Sequence, residues 1–307
     1  MAKSTREAYG EALAELGKLN ERIVVMDADL SGSTKTSTFK KAFPERFFNF
    51  GIAEANMIDA AAGFAFSGYI PFASTFAMFG AGRAFEQIRN SVAYAKANVK
   101  LAFTHAGLSV GEDGGSHQAL EDISLMRGLP GMTVFVPCDA EEAKKAVAAA
   151  VEIDGPVYLR LSRPNTDAVT DADTPFIPGK ANVVREGSDA AIFATGLMVS
   201  RALKAAELLA AEGISAAVVN FHTIKPIDRD IILEYNGKVR AIVTAEEHFV
   251  TGGLGSAVAE VLAGHAGAGF GRVGVEDRFG QSGKPDALFE EYGLTAENIA
   301  RKIKALL

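Results

Sequence analysis

Val99-Lys-Leu-Ala-Phe-Thr104 runs directly into His105-Ala-Gly-Leu-Ser-Val-Gly-Glu-Asp-Gly-Gly-Ser-His-Gln118. The first six residues read as a buried strand. The fourteen that follow hold two histidines, two acids and four glycines, and glycine lets backbone approach a ligand closely. A helix is expected over about 117–127, starting near Ser116, so that its N-terminal amides point into the loop and suit an anion. Buried core histidines do not fit so polar and glycine-rich a loop. A zinc site competes, but two histidines and two acids at irregular spacing lack the pattern of a metal site. The stretch reads as an active-site loop at the carboxyl end of a strand, which is where parallel sheets collect ligands.

Outward from this stretch, strands and helices alternate. On the amino-terminal side come a helix over 5–19, with Leu13, Leu16 and Leu19 on one face, the strand Arg22–Asp27, an alanine-rich helix over 54–67, a short strand Tyr69–Ala73, and a helix over about 83–96. On the other side come Thr133–Pro137, a helix over 139–151, and Val157–Ser162. This is the pattern of a parallel sheet with helices on both faces. Residues 164–180 then carry Pro164, Pro175 and Pro178 with Asp167, Asp171 and Asp173, a linker composition. Strands at 190–195, 214–220 and 239–247 follow, with helices to about 212, over 253–264 and over 295–305. The reading is α/β: two domains with parallel or mixed sheets, over 1–165 and 182–307, joined by a linker at 166–181. Thr251-Gly-Gly-Leu-Gly-Ser256 is a poor dinucleotide fingerprint and reads as a tight strand-to-helix turn.

The 307 residues suit two domains of about 100–200 residues each. An apolar fraction of 48% with 22% charged residues excludes intrinsic disorder. The net charge is −7, and neither half has a basic excess, so nucleic acid is not an expected partner. One cysteine, Cys138, excludes a disulfide framework or a cysteine metal cluster within this chain. The opening Met1–Gly10 has charges without an apolar run, unlike a signal peptide. The uncharged stretch between Asp59 and Arg83 has membrane-span length, but four glycines, Pro71, Ser67, Ser74 and Thr75 make it helix, strand and helix start inside a soluble core. The expected compartment is the cytoplasm, with no membrane partner.

Four further segments carry polar or aromatic chemistry. Asp27-Ala-Asp29-Leu30-Ser31-Gly-Ser33-Thr34 reads as a solvated, capped turn, although acids and hydroxyls at a strand end also suit a metal, phosphate or sugar. In Phe50-Gly-Ile-Ala-Glu54-Ala-Asn-Met57, Glu54 stands between aromatic residues and an alanine-rich helix. Such a carboxyl group can share a proton near neutral pH; equally, it can be a helix-start acid facing the dipole. Phe76 and Phe79, three apart, are core packing or an aromatic bed for a flat ring. Arg163, in Leu161-Ser-Arg-Pro-Asn165, is a surface arginine before the linker or a phosphate clamp.

These segments, in this order, resemble the C-terminal part of transketolase over essentially the whole chain. The resemblance rests on Ser4-Thr-Arg6-Glu7, Asp27–Ser33, Phe50–Met57, Ser74–Phe79, Thr104–Gln118 with Ala119-Leu-Glu-Asp122, Leu161–Asn165, and Gly274-Val-Glu-Asp-Arg-Phe-Gly-Gln-Ser-Gly-Lys-Pro285. It implies a pyrimidine-binding domain followed by a transketolase C-terminal domain. The family's diphosphate-binding domain, with its Gly-Asp-Gly and later Asn, has no counterpart in this sequence. The resemblance therefore implies the small subunit of a split transketolase that moves a two-carbon ketol unit between phosphorylated sugars. Its partner, an N-terminal subunit, would hold most of the thiamine diphosphate's diphosphate and its Mg2+ or Ca2+, in a heterotetramer. Carried over residue by residue, Glu54 and His117 are catalytic. Asp29, Leu30, Glu54, Phe76 and Phe79 meet the cofactor. Asp113 and His117 meet the sugar hydroxyls, and Arg6, Ser33, His105 and Arg163 take the sugar phosphate. Two alternatives remain: the β-subunit of a 2-oxo acid dehydrogenase, which would not need the phosphate cluster, and a non-catalytic assembly subunit.

Overall fold

The structure is a computed structural model that describes residues 3–307. Met1 and Ala2, which open the segment read as lacking a leader, lie outside the described residues. Its strands are β1 (Ile23–Asp27), β2 (Phe47–Asn49), β3 (Ile70–Phe76), β4 (Lys100–Thr104), β5 (Thr133–Phe135), β6 (Val157–Arg160), β7 (Asn182–Arg185), β8 (Ala190–Ala194), β9 (Ala216–Asn220), β10 (Thr223–Lys225), β11 (Ala241–Phe249) and β12 (Gly269–Val275). They form a seven-stranded sheet, β10-β5-β6-β4-β3-β1-β2, and a five-stranded sheet, β12-β11-β8-β9-β7. Each is parallel except at one edge: β10 runs antiparallel to β5, and β7 to β9. The molecule is α/β with two mixed sheets.

Every residue of β1, β3, β4 and β6 is buried, as expected of strands covered on both faces. Their registers align the carboxyl ends: Asp27 lies beside Ser74, Phe76 beside Thr104, and Phe103 beside Arg160. The loops after β1, β3, β4 and β6 therefore open on one edge of the sheet. The first helix, Thr5–Leu19, is started by a capping box between Ser4 and Glu7. It buries Ala8, Tyr9 and Leu13 and packs on the helix Ala140–Glu152. Gly10 lets it approach the turn after β1, because a Cβ there would stand 2.5 Å from the Lys35 carbonyl. That approach brings Arg6, one turn earlier, to the open edge.

Two elements differ from the sequence reading. No regular α-helix covers 83–96. Wide π-helical turns at Met78–Arg83 and Ile88–Tyr94 flank one α-turn, Phe85–Gln87. Gly80 sits against the Phe103 ring, where a Cβ would be 2.3 Å away, and Gly80 with Gly82 weakens α-helical preference. The helix expected from Ser116 begins instead at Asp122. Gly111 and Gly114 adopt left-handed backbone, φ 86° and 77°. The Gln118 amide Nε2 donates to the carbonyls of Leu108, Gly111 and Gln281. These contacts hold 112–121 as turns, so the amides that open the 122–127 helix lie outside the loop.

The linker is pinned down. Thr166 N donates to the Lys3 carbonyl (3.1 Å), Thr170 N and Oγ1 donate to Asp139 (2.6 and 2.8 Å), and Phe176 stacks on His222 at 4.1 Å. β10, which follows the linker, extends the first sheet by pairing Thr223 with Phe135. The Thr251–Ser256 segment is the tight turn between β11 and the helix Leu254–Leu262. No helix of the described residues is long and apolar enough to cross a membrane.

Candidate active site

Asp27, the last residue of β1, is buried, and its carboxylate shapes the first loop. It accepts from Leu30 N (2.5 Å), Thr34 Oγ1 (2.7 Å) and Thr36 Oγ1 (2.9 Å). Burial pushes its pKa up against these hydrogen bonds. The tight turn holds Asp29 in left-handed backbone, φ 64°. Asn49, at the end of β2, clamps Asp29 by accepting its N–H (3.1 Å) and donating to its carboxylate (2.9 Å). Asp29 is exposed and Leu30 half-buried. Both lie at the strand end, with Asp29 tied to Asn49 rather than to the aromatic residues.

The next group is cationic. Arg6 Nη1 donates to the Ser33 carbonyl (2.9 Å) and stands 3.3 Å from His105 Nε2. Arg6 Nε is buried and has no partner among the described residues. Burial lowers the guanidinium's pKa, and nearby Arg163 adds to the effect. His105 holds a left-handed backbone, φ 60°, a cost tolerated chiefly at functional sites. Burial, then the charges of Arg6 and Arg163, push its pKa down to about 3. Its imidazole is therefore neutral at pH 7. With Nε2 facing a guanidinium donor, the proton sits on Nδ1, 2.8 Å from Thr104 Oγ1. Arg163 donates to the Val110 carbonyl and lies 3.6 Å from Asp113 and 3.9 Å from Glu112.

A row of rings continues from there. His105 stacks on Phe76 at 3.8 Å. Phe76 and Phe79 lie nearly parallel, 17° apart with centroids at 5.9 Å. His117 meets Phe79 edge-on at 5.2 Å and places Nδ1 3.0 Å from Ser116 Oγ. The Arg83 guanidinium covers the Phe79 ring at 5.0 Å and donates to Glu54 Oε2 (2.8 Å). Glu54 opens the helix Glu54–Phe66 and is 1% exposed. It is thus both a helix-start acid and a buried carboxylate.

Arg6, Ser33, His105, Phe76, Phe79, His117 and Glu54 form one continuous row, with Asp113 and Arg163 beside its cationic end. The sequence reading did not pick out Arg83, Asn49 or Thr104. Arg83 pairs with Glu54 across 29 residues, a contact between separate elements that no local spacing announces.

The row can bind an anion at one end and bear a flat ring at the other, against a buried carboxylate. Residues 1–168 match the family model for the transketolase pyrimidine binding domain, and residues 179–299 that for the transketolase C-terminal domain. A Methanocaldococcus jannaschii protein assigned as a transketolase C-terminal section is 51% identical over 98% of this chain and 95% of its own length. A 6-deoxy-6-sulfo-D-fructose transketolase subunit of a Clostridium species is 44% identical over 96% of this chain and 92% of its own. Human transketolase is 39% identical over 99% of this chain, which spans 49% of that enzyme. Among solved structures, a split gene transketolase described as an inactive beta4 tetramer superposes with a TM-score of 0.92 at 54% identity, covering 100% of this chain and 99% of that one.

Proposed function

The chain belongs to the transketolase family, and from that premise we propose that it is the C-terminal subunit of a thiamine diphosphate-dependent transketolase. It transfers a two-carbon ketol unit between phosphorylated sugars together with a partner subunit that holds the diphosphate and the Mg2+ or Ca2+. The observation that carries this reading is the buried Glu54 carboxylate, joined through Arg83 to the Phe79 ring of the parallel Phe76–Phe79 pair. A flat heteroaromatic ring with a basic nitrogen fits that pairing, and Arg83, the carboxylate's present partner, is exposed enough to be exchanged.

When bound, thiamine diphosphate supplies the nucleophilic carbon that carries the ketol unit. This chain's residues bind and orient. Phe76 and Phe79 would bear the pyrimidine ring, and Glu54 would hold the proton at its ring nitrogen. Asp29 and Leu30 would flank the cofactor from the end of β1. His117 and Asp113 would take the sugar hydroxyls, with His117 placed to hold or move a proton there. Arg6, Ser33, His105 and Arg163 would take the anionic end of the sugar. Neutral His105 adds no charge: it orients Arg6, whose unpartnered buried Nε is a donor available to an anion. This cationic end weighs against the 2-oxo acid dehydrogenase reading.

The near-full-length likeness to a split gene transketolase and to a C-terminal section supports a separate partner chain. Two copies of each chain are expected, with cofactor sites at their interfaces. The test mixes the purified chain with a partner carrying Gly-Asp-Gly, thiamine diphosphate and Mg2+. Ketol transfer is expected from the mixture, with weak cofactor binding by calorimetry for this chain alone. No turnover from the mixture, or full turnover from this chain alone, overturns the proposal.

A further inference from the structure

Glu247 lies in β11 of the second sheet, far along the chain from the residues of the site, yet its carboxylate braces the loop after β4. Glu247 Oε1 accepts the Ser109 N–H at 2.6 Å. The same oxygen would stand 2.3 Å from a Cβ on Gly107, whose φ is 81°, so the carboxylate packs directly on loop backbone. The Glu247 carbonyl accepts Arg160 Nη2 (2.9 Å). Arg160 in turn grips Asp122 through Nε (2.7 Å) and Nη2 (3.1 Å), and Tyr158 donates to the same carboxylate (2.5 Å). All four side chains are buried. A buried hydrogen-bonded network of this kind favours one geometry. The carboxylate is also costly: burial pushes its pKa up, opposed by Arg160 and the Ser109 amide, and an apolar residue would avoid that cost.

The braced segment, Gly107–Ser109, lies between two anchors. His105, on one side, stands 3.3 Å from Arg6 Nη1. Val110, on the other, accepts a hydrogen bond from Arg163 through its carbonyl. Each guanidinium is therefore oriented by a residue flanking Ser109. Glu54, Phe79 and Arg83 sit on other elements, and their ion pair and ring contact do not involve Glu247.

We infer that Glu247 is a positioning residue for substrate recognition: from the second domain it fixes the loop that sets the spacing of the Arg6 and Arg163 guanidiniums, and so fits the site to the anionic end of the sugar. This rests on the function proposed above. The test uses the assembled enzyme with a phosphorylated ketose donor and its unphosphorylated counterpart. E247A is expected to raise KM for the phosphorylated donor about tenfold, the loss of roughly one oriented charge-assisted contact. Both kcat and the unphosphorylated KM should stay within about twofold of the parent. E247Q, whose Oε1 can accept the same N–H, should stay within about threefold on every parameter. G107A drives a methyl group into the same carboxylate from the loop side while keeping Glu247. It should reproduce the selective loss whatever happens to E247A. A second arm titrates inorganic phosphate into the chain and follows the His105 and His117 imidazole resonances. E247A should weaken phosphate about tenfold and E247Q by less than about threefold. This arm needs no ketol transfer, so it separates failure of the inference from failure of the proposed function. Equal losses on both donors, E247Q as damaged as E247A, or a phosphate affinity absent in the parent or unchanged in E247A and G107A, would overturn it.

Discussion

The two ends of the site are built differently. At the cationic end, Arg6 and Arg163 are held by carbonyls of Ser33 and Val110, His105 is locked against Phe76, and Glu247 braces the loop from beneath. At the carboxylate end, buried Glu54 has one charged partner, Arg83, which is 53% exposed and lies over the Phe79 ring. Ile52, nearby in sequence, is 78% exposed. The first end is held by internal contacts, with the Arg6 Nε donor left unused. The second is closed by a contact that an incoming ring would replace, because an arginine this exposed gains only about 0–1 kcal/mol from its ion pair. Preorganisation is therefore concentrated where an anion is expected, and adaptability where cofactor and partner are expected.

The largest effect should come from the carboxylate end. E54Q is expected to keep the fold and lower turnover with the partner and saturating cofactor by at least about a hundredfold, since a neutral amide cannot do the proton work. Turnover near the parent's would remove Glu54 from the mechanism. At the cationic end, R6A and R163A should each raise KM for a phosphorylated donor by roughly 1.5–3 kcal/mol, about 10- to 150-fold. The unphosphorylated donor should change little. Equal losses on both donors would make these arginines structural and favour the oxo-acid reading. A smaller effect is expected from R83A. By urea unfolding it should lower the stability of the free chain by about 1 kcal/mol, because Glu54 loses its partner. The assembled enzyme should retain most of its turnover. A large fall in turnover would show that Arg83 belongs to the working site.

Much of this was legible in the sequence for a physical reason. Strands covered on both faces leave uninterrupted apolar runs, so Ile23–Asp27 and Lys100–Thr104 stand out. β12, with three glycines in Gly269–Val275, and three-residue β10 leave no such trace. The 122–127 helix starts later than the local sequence pattern suggests because Gln118 caps backbone carbonyls from Leu108 to Gln281, a contact across 163 residues that no local pattern announces. In the site, His105, Glu54, Phe76 and Arg163 are readable as unusual residues at strand ends. Arg83 over Phe79 and Glu247 under Ser109 are not, because each gains its role only from the packing of distant segments.

A pH-dependent test compares a site histidine with a structural one. His105 is held at a pKa of about 3 by burial and then by Arg6 and Arg163, and His222 at about 4 by burial. In the unfolded chain both titrate near 6.5, as an unperturbed imidazole does. As pH falls from about 6.5 toward 4, the unfolded chain takes up protons that the folded chain refuses. Both residues therefore leave stability intact above about pH 6.5 and erode it below. Glu142 has the opposite sign: burial raises its pKa from 4.5 to about 7, so its contribution is whole below about pH 4.5, is lost as pH rises from there through 7, and opposes about one of the histidine protons over that window. The acid limb of the parent should thus carry nearly two protons from the histidines. Replacing either should reduce its slope by up to one proton, about 1.4 kcal/mol per pH unit. H105Q and H222Q should look alike in stability across pH 4.5–6, measured by urea unfolding at each pH. They should differ in function: H105Q loses the Arg6 contact and weakens the phosphorylated donor, whereas H222Q, stacked on Phe176 away from the row, does not. An unchanged acid slope in H105Q would mean that His105 is protonated in the folded chain, and the cationic end would then carry a charge that the structure denies it.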